Sequence, residues 1–223
     1  MGVDYLVTPT LLLGVGAQFD WTTMEIPGSA NLKGTGFMVG PYATARLADG
    51  LFADARLAWG FSKNSIVPVG LVKDDFNGER WLASVGLVGQ FHHNMFLIRP
   101  EARVSWFTEM TTAYRDSLGS VIPSARATTA QIELGPKIST SLELTSGATF
   151  TPFVDLKGIW GATTVTGRTL DDLPQDGVRG KAAAGFSLGH PNGFRLSAEG
   201  FVDGLGSSGY GAYGLKVGLS GAF

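Results

Sequence analysis

Residues 210–223 read Tyr210-Gly211-Ala212-Tyr213-Gly214-Leu215-Lys216-Val217-Gly218-Leu219-Ser220-Gly221-Ala222-Phe223. The odd positions carry Gly211, Tyr213, Leu215, Val217, Leu219, Gly221 and Phe223; the even ones carry Tyr210, small residues and Lys216. A period of two places successive side chains on opposite faces of a β-strand, here one mostly apolar and one small or polar.

The same alternation recurs upstream. Long strands are expected over Thr10–Thr22, Gly36–Ala48, Leu51–Ser62, Arg80–His92, Phe96–Met110, Thr128–Leu144, Ala148–Ala162, Val178–Gly189 and Phe194–Gly206, besides Tyr210–Phe223. Val3–Val7 reads as the tail of an earlier strand. In Thr10–Thr22, Leu11, Leu13, Val15, Ala17, Phe19 and Trp21 share one face, against Gly14, Gly16, Gln18 and Asp20. In Arg80–His92, Trp81, Ala83, Val85, Leu87 and Phe91 oppose Arg80, Ser84, Gly86 and Gln90.

Charge separates a membrane barrel from a soluble sandwich. Arg46, Asp54, Arg56, Arg99, Glu101, Arg103, Glu133, Lys137, Asp155, Lys157, Arg179, Lys181, Arg195, Glu199 and Asp203 all fall opposite the apolar face. That face carries no charge at mid-strand. A sandwich could alternate in the same way, with its charged face in water. Its strands would be about 5–6 residues long; these are about twice that, the length a tilted strand needs to cross a bilayer. Trp21, Trp59, Trp81, Trp106 and Trp160 lie on the apolar faces, as an interfacial aromatic girdle requires. The expected fold is all-β: an antiparallel up-and-down transmembrane barrel of ten long strands plus an N-terminal stub. Its charged positions would line the lumen.

Turn lengths alternate as well. Thr8-Pro9, Asp49-Gly50, His93–Met95, Thr145–Gly147 and His190–Gly193 are short. Thr23–Thr35, Lys63–Glu79, Thr111–Ala127 and Thr163–Gly177 read as longer loops, while the last connection on that rim, Ser207–Gly209, is brief. Short periplasmic turns and long extracellular loops are the outer-membrane pattern. By parity the C-terminus lies at the periplasmic rim.

Composition agrees and narrows the function. The 223 residues include 32 Gly, no Cys and 16% charged side chains, with a net charge of −2. Nothing electrostatic points to nucleic acid, and no disulfide or thiolate chemistry is available. No apolar run reaches the roughly 18 residues of a transmembrane helix, a test that barrel strands escape. A serine hydrolase needs a His within reach of a Ser at the rim; His92, His93 and His190 all fall in or beside short turns and read as turn residues and interface anchors. Lys73-Asp74-Asp75 and Thr169-Leu170-Asp171-Asp172 lack the spacing of a calcium loop. Gly34-Thr35-Gly36 is followed by no Lys-Ser/Thr, so it is no phosphate loop. No catalytic residue, metal or cofactor is expected.

A family resemblance joins these segments. Pro41-Tyr42-Ala43 with Gly50-Leu51-Phe52-Ala53-Asp54-Ala55, Asn77-Gly78-Glu79-Arg80-Trp81, and Pro100-Glu101-Ala102 leading to Glu109, Tyr114 and Asp116-Ser117-Leu118-Gly119 come first. Pro152-Phe153-Val154, Ala198-Glu199-Gly200, Asp203-Gly204-Leu205-Gly206 and the terminal Phe223 follow. In this order they resemble the translocator β-domain of type V secretion autotransporters. The resemblance implies an outer-membrane domain whose polar lumen accommodates export of an N-terminal passenger. It also implies outer-membrane lipids, the barrel-assembly machinery and the passenger as partners. Lys216, Gly218 and Phe223 match the family's assembly signal, while Gly221 occupies a slot that is usually hydrophobic. The family barrel has twelve strands preceded by a plug helix. Residues 1–223 are therefore expected to be this domain without its first strand or two, the helix and the passenger. A stand-alone outer-membrane barrel is the alternative reading, and an outer-membrane hydrolase the weaker third.

Overall fold

Strands rich in Val, Leu, Phe and Trp on one side, and in Gly, Ser and charge on the other, pair only when like faces align. A computed structural model describes residues 1–26, 30–68, 73–167, 177–208 and 210–221 and shows this alignment throughout. The strands are β1 (Gly2–Thr8), β2 (Leu11–Ile26), β3 (Ala30–Ala48), β4 (Leu51–Pro68), β5 (Asp74–Gly89), β6 (Phe91–His93), β7 (Phe96–Thr111) and β8 (Tyr114–Arg115). Then come β9 (Val121–Ile122), β10 (Ala125–Thr140), β11 (Leu142–Glu143), β12 (Thr149–Thr166), β13 (Gly177–Gly189), β14 (Arg195–Leu205) and β15 (Ala212–Ser220).

One antiparallel sheet holds nearly all of them, in the order β1-β2-β3-β4-β5-β7-β10-β12-β13-β14-β15. β6 pairs with β7, β11 pairs with β12, and β8 with β9 forms a separate hairpin. Every step along the main path joins chain neighbours, as in an up-and-down meander. The edges are β1 and β15. The stub read from Val3–Val7 is strand, and Gly2–Thr8 pairs along β2, with Val3 opposite Val15 and Tyr5 opposite Leu13.

Several strands run further than the sequence suggests. Most of the expected loops Thr23–Thr35 and Lys63–Glu79 are strand. The hairpin of β2 and β3 stays in register to Glu25 opposite Asn31, and that of β4 and β5 to Ile66 opposite Asp74. Two expected strands are interrupted near the short turns: Gly89 ends β5 before β6, and Thr140 ends β10 before β11. At the short turn after β3, Gly50 adopts φ +68, which a residue with a Cβ enters only at a cost. The loop segment Thr169–Asp172 lies outside the described residues.

Burial is the reverse of that in a soluble protein. Ser62, Asn64, Ser139 and Asp203 are buried. Val85 and Leu134, on the opposite face, are 58% and 56% exposed. The shielded face also buries Met38, Ala58 and Ile159, so its lining is mixed rather than wholly polar. On the exposed face a chain of rings crosses four strands, running Phe19–Phe37–Phe61–Trp59–Trp81 with centroids 4.9–6.5 Å apart. Charged residues on this face, such as Lys33, Lys63, Glu79 and Arg126, lie towards the long-loop ends of their strands.

Candidate functional site

The charges of the shielded face are drawn together across strands, including strands that are not neighbours. Arg103 on β7 donates through both terminal nitrogens to Asp54 on β4, at 2.7 and 2.8 Å. The strand between them, β5, has Gly86 beneath the pair. A Cβ there would lie 2.7 Å from Asp54 Oδ1 and 2.9 Å from Arg103 Nη2. Arg80 on β5 reaches Asp20 on β2 at 2.9 and 3.0 Å, passing over Gly36 and Ser62. Its Nε also lies 3.2 Å from Glu109 Oε1, within ion-pair range though not aligned as a hydrogen bond. Glu109 accepts a hydrogen bond from Ser62 at 2.7 Å, and Ser62 accepts one from Asn64 at 2.9 Å. Small residues under each bridge let long side chains lie along the wall. Bidentate Arg–carboxylate geometry is the strong form of such a contact.

Towards the C-terminal half one pair spans a strand and others join neighbouring strands. Lys157 on β12 binds Glu101 on β7 at 2.8 Å and lies 3.6 Å from Asp155 on its own strand. Arg179 binds Asp203 at 2.7 Å and faces the ring of Tyr210. Lys216 binds Glu199 at 2.9 Å and, like Lys181, stands 5.1 Å from the Phe201 ring. Each cation is thus held by an acid or an aromatic face.

Of the residues expected to line the lumen, Asp54, Glu101, Arg103, Asp155, Lys157, Arg179, Glu199 and Asp203 are joined in these pairs. Arg46 pairs with Asp49 at the β3–β4 turn. Arg56 reaches only Gln18, at 3.5 Å. Among the described residues Arg99, Glu133, Lys137, Lys181 and Arg195 make no ion pair. All share the parity of the shielded face. The sequence reading left Asp20, Arg80 and Glu109 out of this set. Their parity was the available signal, but they lie at the ends of the expected strands. Tyr42, quoted above for the family resemblance alone, also turns to this face, where its hydroxyl donates to Asp4 at 2.5 Å.

A cavity of about 1000 Å³ opens on this face beside Gln18, Tyr42, Asp54, Arg56, Ser84 and Arg103. A second, of about 510 Å³, lies nearer the short turns, between Arg99, Lys137, Arg195 and Lys216. His92 and His93 sit in β6 beside the Asn94-Met95 turn, and His190 bonds Asn192 within its own turn at 2.7 Å. Asp74 and Asp75 are engaged by the amide of Ser117 and by Lys73. Of the expected assembly signal, Lys216 and Gly218 lie on β15 with their side positions on the shielded face; Phe223 lies outside the described residues.

The family model described as "Autotransporter beta-domain" matches residues 1–200. Among solved structures, the β-domain of the Bordetella autotransporter BrkA is similar at TM-score 0.76 and 18% identity, covering 98% of this chain and 84% of that one. The transport unit of AIDA-I from Escherichia coli gives 0.75 and 17%, covering 100% and 80%. The translocator domain of NalP from Neisseria meningitidis gives 0.74 and 20%, covering 100% and 79%. At these identities the likeness is one of fold. A search of the curated proteins finds no match.

Proposed function

We propose, on the premise that the chain belongs to the autotransporter β-domain family, that its charged face is the wall along which a passenger polypeptide is exported. The chain is an outer-membrane translocator domain. The finer reading rests on one observation: the shielded face carries its charges mostly as opposed pairs, while the exposed face has none at mid-strand. Opposed pairs keep a wall hydrated yet offer a passing chain of either sign little net attraction. An apolar wall would bind the chain, and a wall of one sign would trap it.

The remaining assignments follow from parity and from the family. The exposed face meets lipid, with the ring chain at one interface. The short turns and the C-terminal end lie on the periplasmic side, and the extended β2–β3 and β4–β5 hairpins project outward. Lys216, Gly218 and Phe223 serve recognition by the assembly machinery. Residues 1–223 supply the barrel part of the domain, and no catalytic role is assigned to any of them.

Ser84 and Ser105 pair directly across β5 and β7 beside the larger cavity. Replacing both by tryptophan narrows the path without touching an ion pair. Surface display of a passenger attached ahead of residue 1 should fall, while heat-modifiable migration in detergent persists. Undiminished display from a correctly folded double variant would sink the reading.

A further inference from the structure

Arg99 and Lys137 stand directly opposite each other on β7 and β10, both on the shielded face. Cross-strand partners have Cβ atoms only about 4.5–5.5 Å apart, and like charges placed so are destabilising. Lys157 likewise faces Lys181 across β12 and β13, but Lys157 is held by Glu101 at 2.8 Å. Among the described residues neither Arg99 nor Lys137 makes an ion pair, although Asp155 is the register partner of Lys137 on its other side. Lys137 turns its ammonium over the Phe153 ring, 3.6 Å from the centroid. Arg99 keeps its Nε buried with no hydrogen-bond partner.

The two cations open into the cavity of about 510 Å³ near the short turns. Arg195 and Lys216 enter it from β14 and β15. Among the described residues of its lining the one acid is Glu199, which is held by Lys216 at 2.9 Å. Asp155 is the register partner of Lys137 but lies outside the lining, 3.6 Å from Lys157. Arg99, Lys137 and Arg195 therefore leave the cavity with an excess of positive charge. Ser139, Ser187 and Ser197 add hydroxyls at its walls. A fork-shaped guanidinium, an ammonium and hydroxyl donors around one space suit a compact oxyanion. A buried polar atom without a partner is the kind of exception that a bound group accounts for.

We infer that this cavity is an oxyanion site, which takes a phosphate or carboxylate group between Arg99 and Lys137. The group is either a free anion or the acidic side chain of a polypeptide lying in the channel. The polypeptide source rests on the export reading; occupancy by a free anion does not.

The test uses the 223-residue chain refolded in zwitterionic detergent at low salt. Inorganic phosphate and a blocked triglutamate peptide are titrated in separate calorimetric experiments. Saturable binding is expected. The Kd should rise at least tenfold in Arg99→Gln and in Lys137→Gln, and stay unchanged in Arg115→Gln on the β8–β9 hairpin. Tighter binding of the peptide assigns the site to an acidic segment; tighter binding of phosphate assigns it to a free anion. Thermal unfolding adds a signature that a merely structural arginine would not give. Arg99→Gln removes a repulsion, so it should melt above the parent without phosphate and below it with saturating phosphate. No saturable binding of either probe, binding undiminished in Arg99→Gln, or an Arg99→Gln that melts lower under both conditions would overturn the proposal.

Discussion

Arg80 and Asp20 meet at 2.9 Å although β3 and β4 lie between their strands. The contact exists because Gly36 leaves the floor beneath it bare. A Cβ on Gly36 would intrude on both partners at once, whereas one on Gly16 would meet nothing closer than 3.7 Å. Gly36→Ala should therefore destabilise the folded chain by about 1.5–3 kcal/mol, the range for a hydrogen bond to a charged group. Gly16→Ala should be near neutral. Paired thermal unfolding in one detergent measures both, and equal midpoints would show that the pair carries no stability.

Leu134 and Gln131 are close neighbours on β10 but point to opposite faces. An arginine at a lipid-facing mid-strand position costs about 2–4 kcal/mol. Leu134→Arg should show that loss in urea-driven unfolding from liposomes. Gln131→Arg enters a face that already holds guanidinium groups and should change stability by less than about 0.5 kcal/mol. Similar losses from the two would reverse the assignment of faces.

Glu79 is an acid on the exposed face, and both Trp59 and Trp81 donate their indole N–H groups to its Oε1, at 2.8 and 3.1 Å. The three side chains form one unit at the edge of the aromatic stripe. A double-mutant cycle of Glu79→Ala with Trp59→Phe should give a coupling of about 0.5–1.5 kcal/mol, the net worth of a hydrogen bond. A coupling near zero would make Glu79 an ordinary rim charge.

Gly221 faces Phe194, and a Cβ there would lie 3.0 Å from the ring edge. Gly221→Leu adds apolar surface beside that ring and fills the empty slot of the assembly signal. Insertion into outer membranes should rise for Gly221→Leu and fall when Phe223 is deleted. Pulse-labelled fractionation reads both effects, and no change in either would remove the signal argument.

The period of two made the faces legible from residues alone, because parity needs no knowledge of partners. It groups Asp54, Arg103, Glu101 and Lys157 on one face of the sheet. It could not foresee which of them meet. That depends on pairing register between strands far apart in the chain, and on glycines such as Gly86 lying beneath the bridge. The ends of β2 to β5 were hidden for a related reason. Past the tryptophans polar and charged residues stand on both faces, the alternation fades, and hairpin pairing holds residues such as Lys33 and Lys63 in strand. Arg99 facing Lys137 is likewise invisible without register.

The exposed face differs in thickness from one sector to another. On β2 to β5 it carries the linked rings of Phe19, Phe37, Phe61, Trp59 and Trp81. At mid-strand on β13 and β14 it carries Ala182, Ala184, Ala198 and Gly200, with Ala184 directly opposite Gly200 and larger side chains such as Phe186 and Val202 flanking them. Interlocked rings resist sliding of one strand past the next more than such small side chains do. Stiffness around the circumference is therefore uneven: the aromatic sector behaves as a rigid stave, and flexural compliance gathers beside β15, at the sheet's own edge. Load applied to the wall from within is relieved there first.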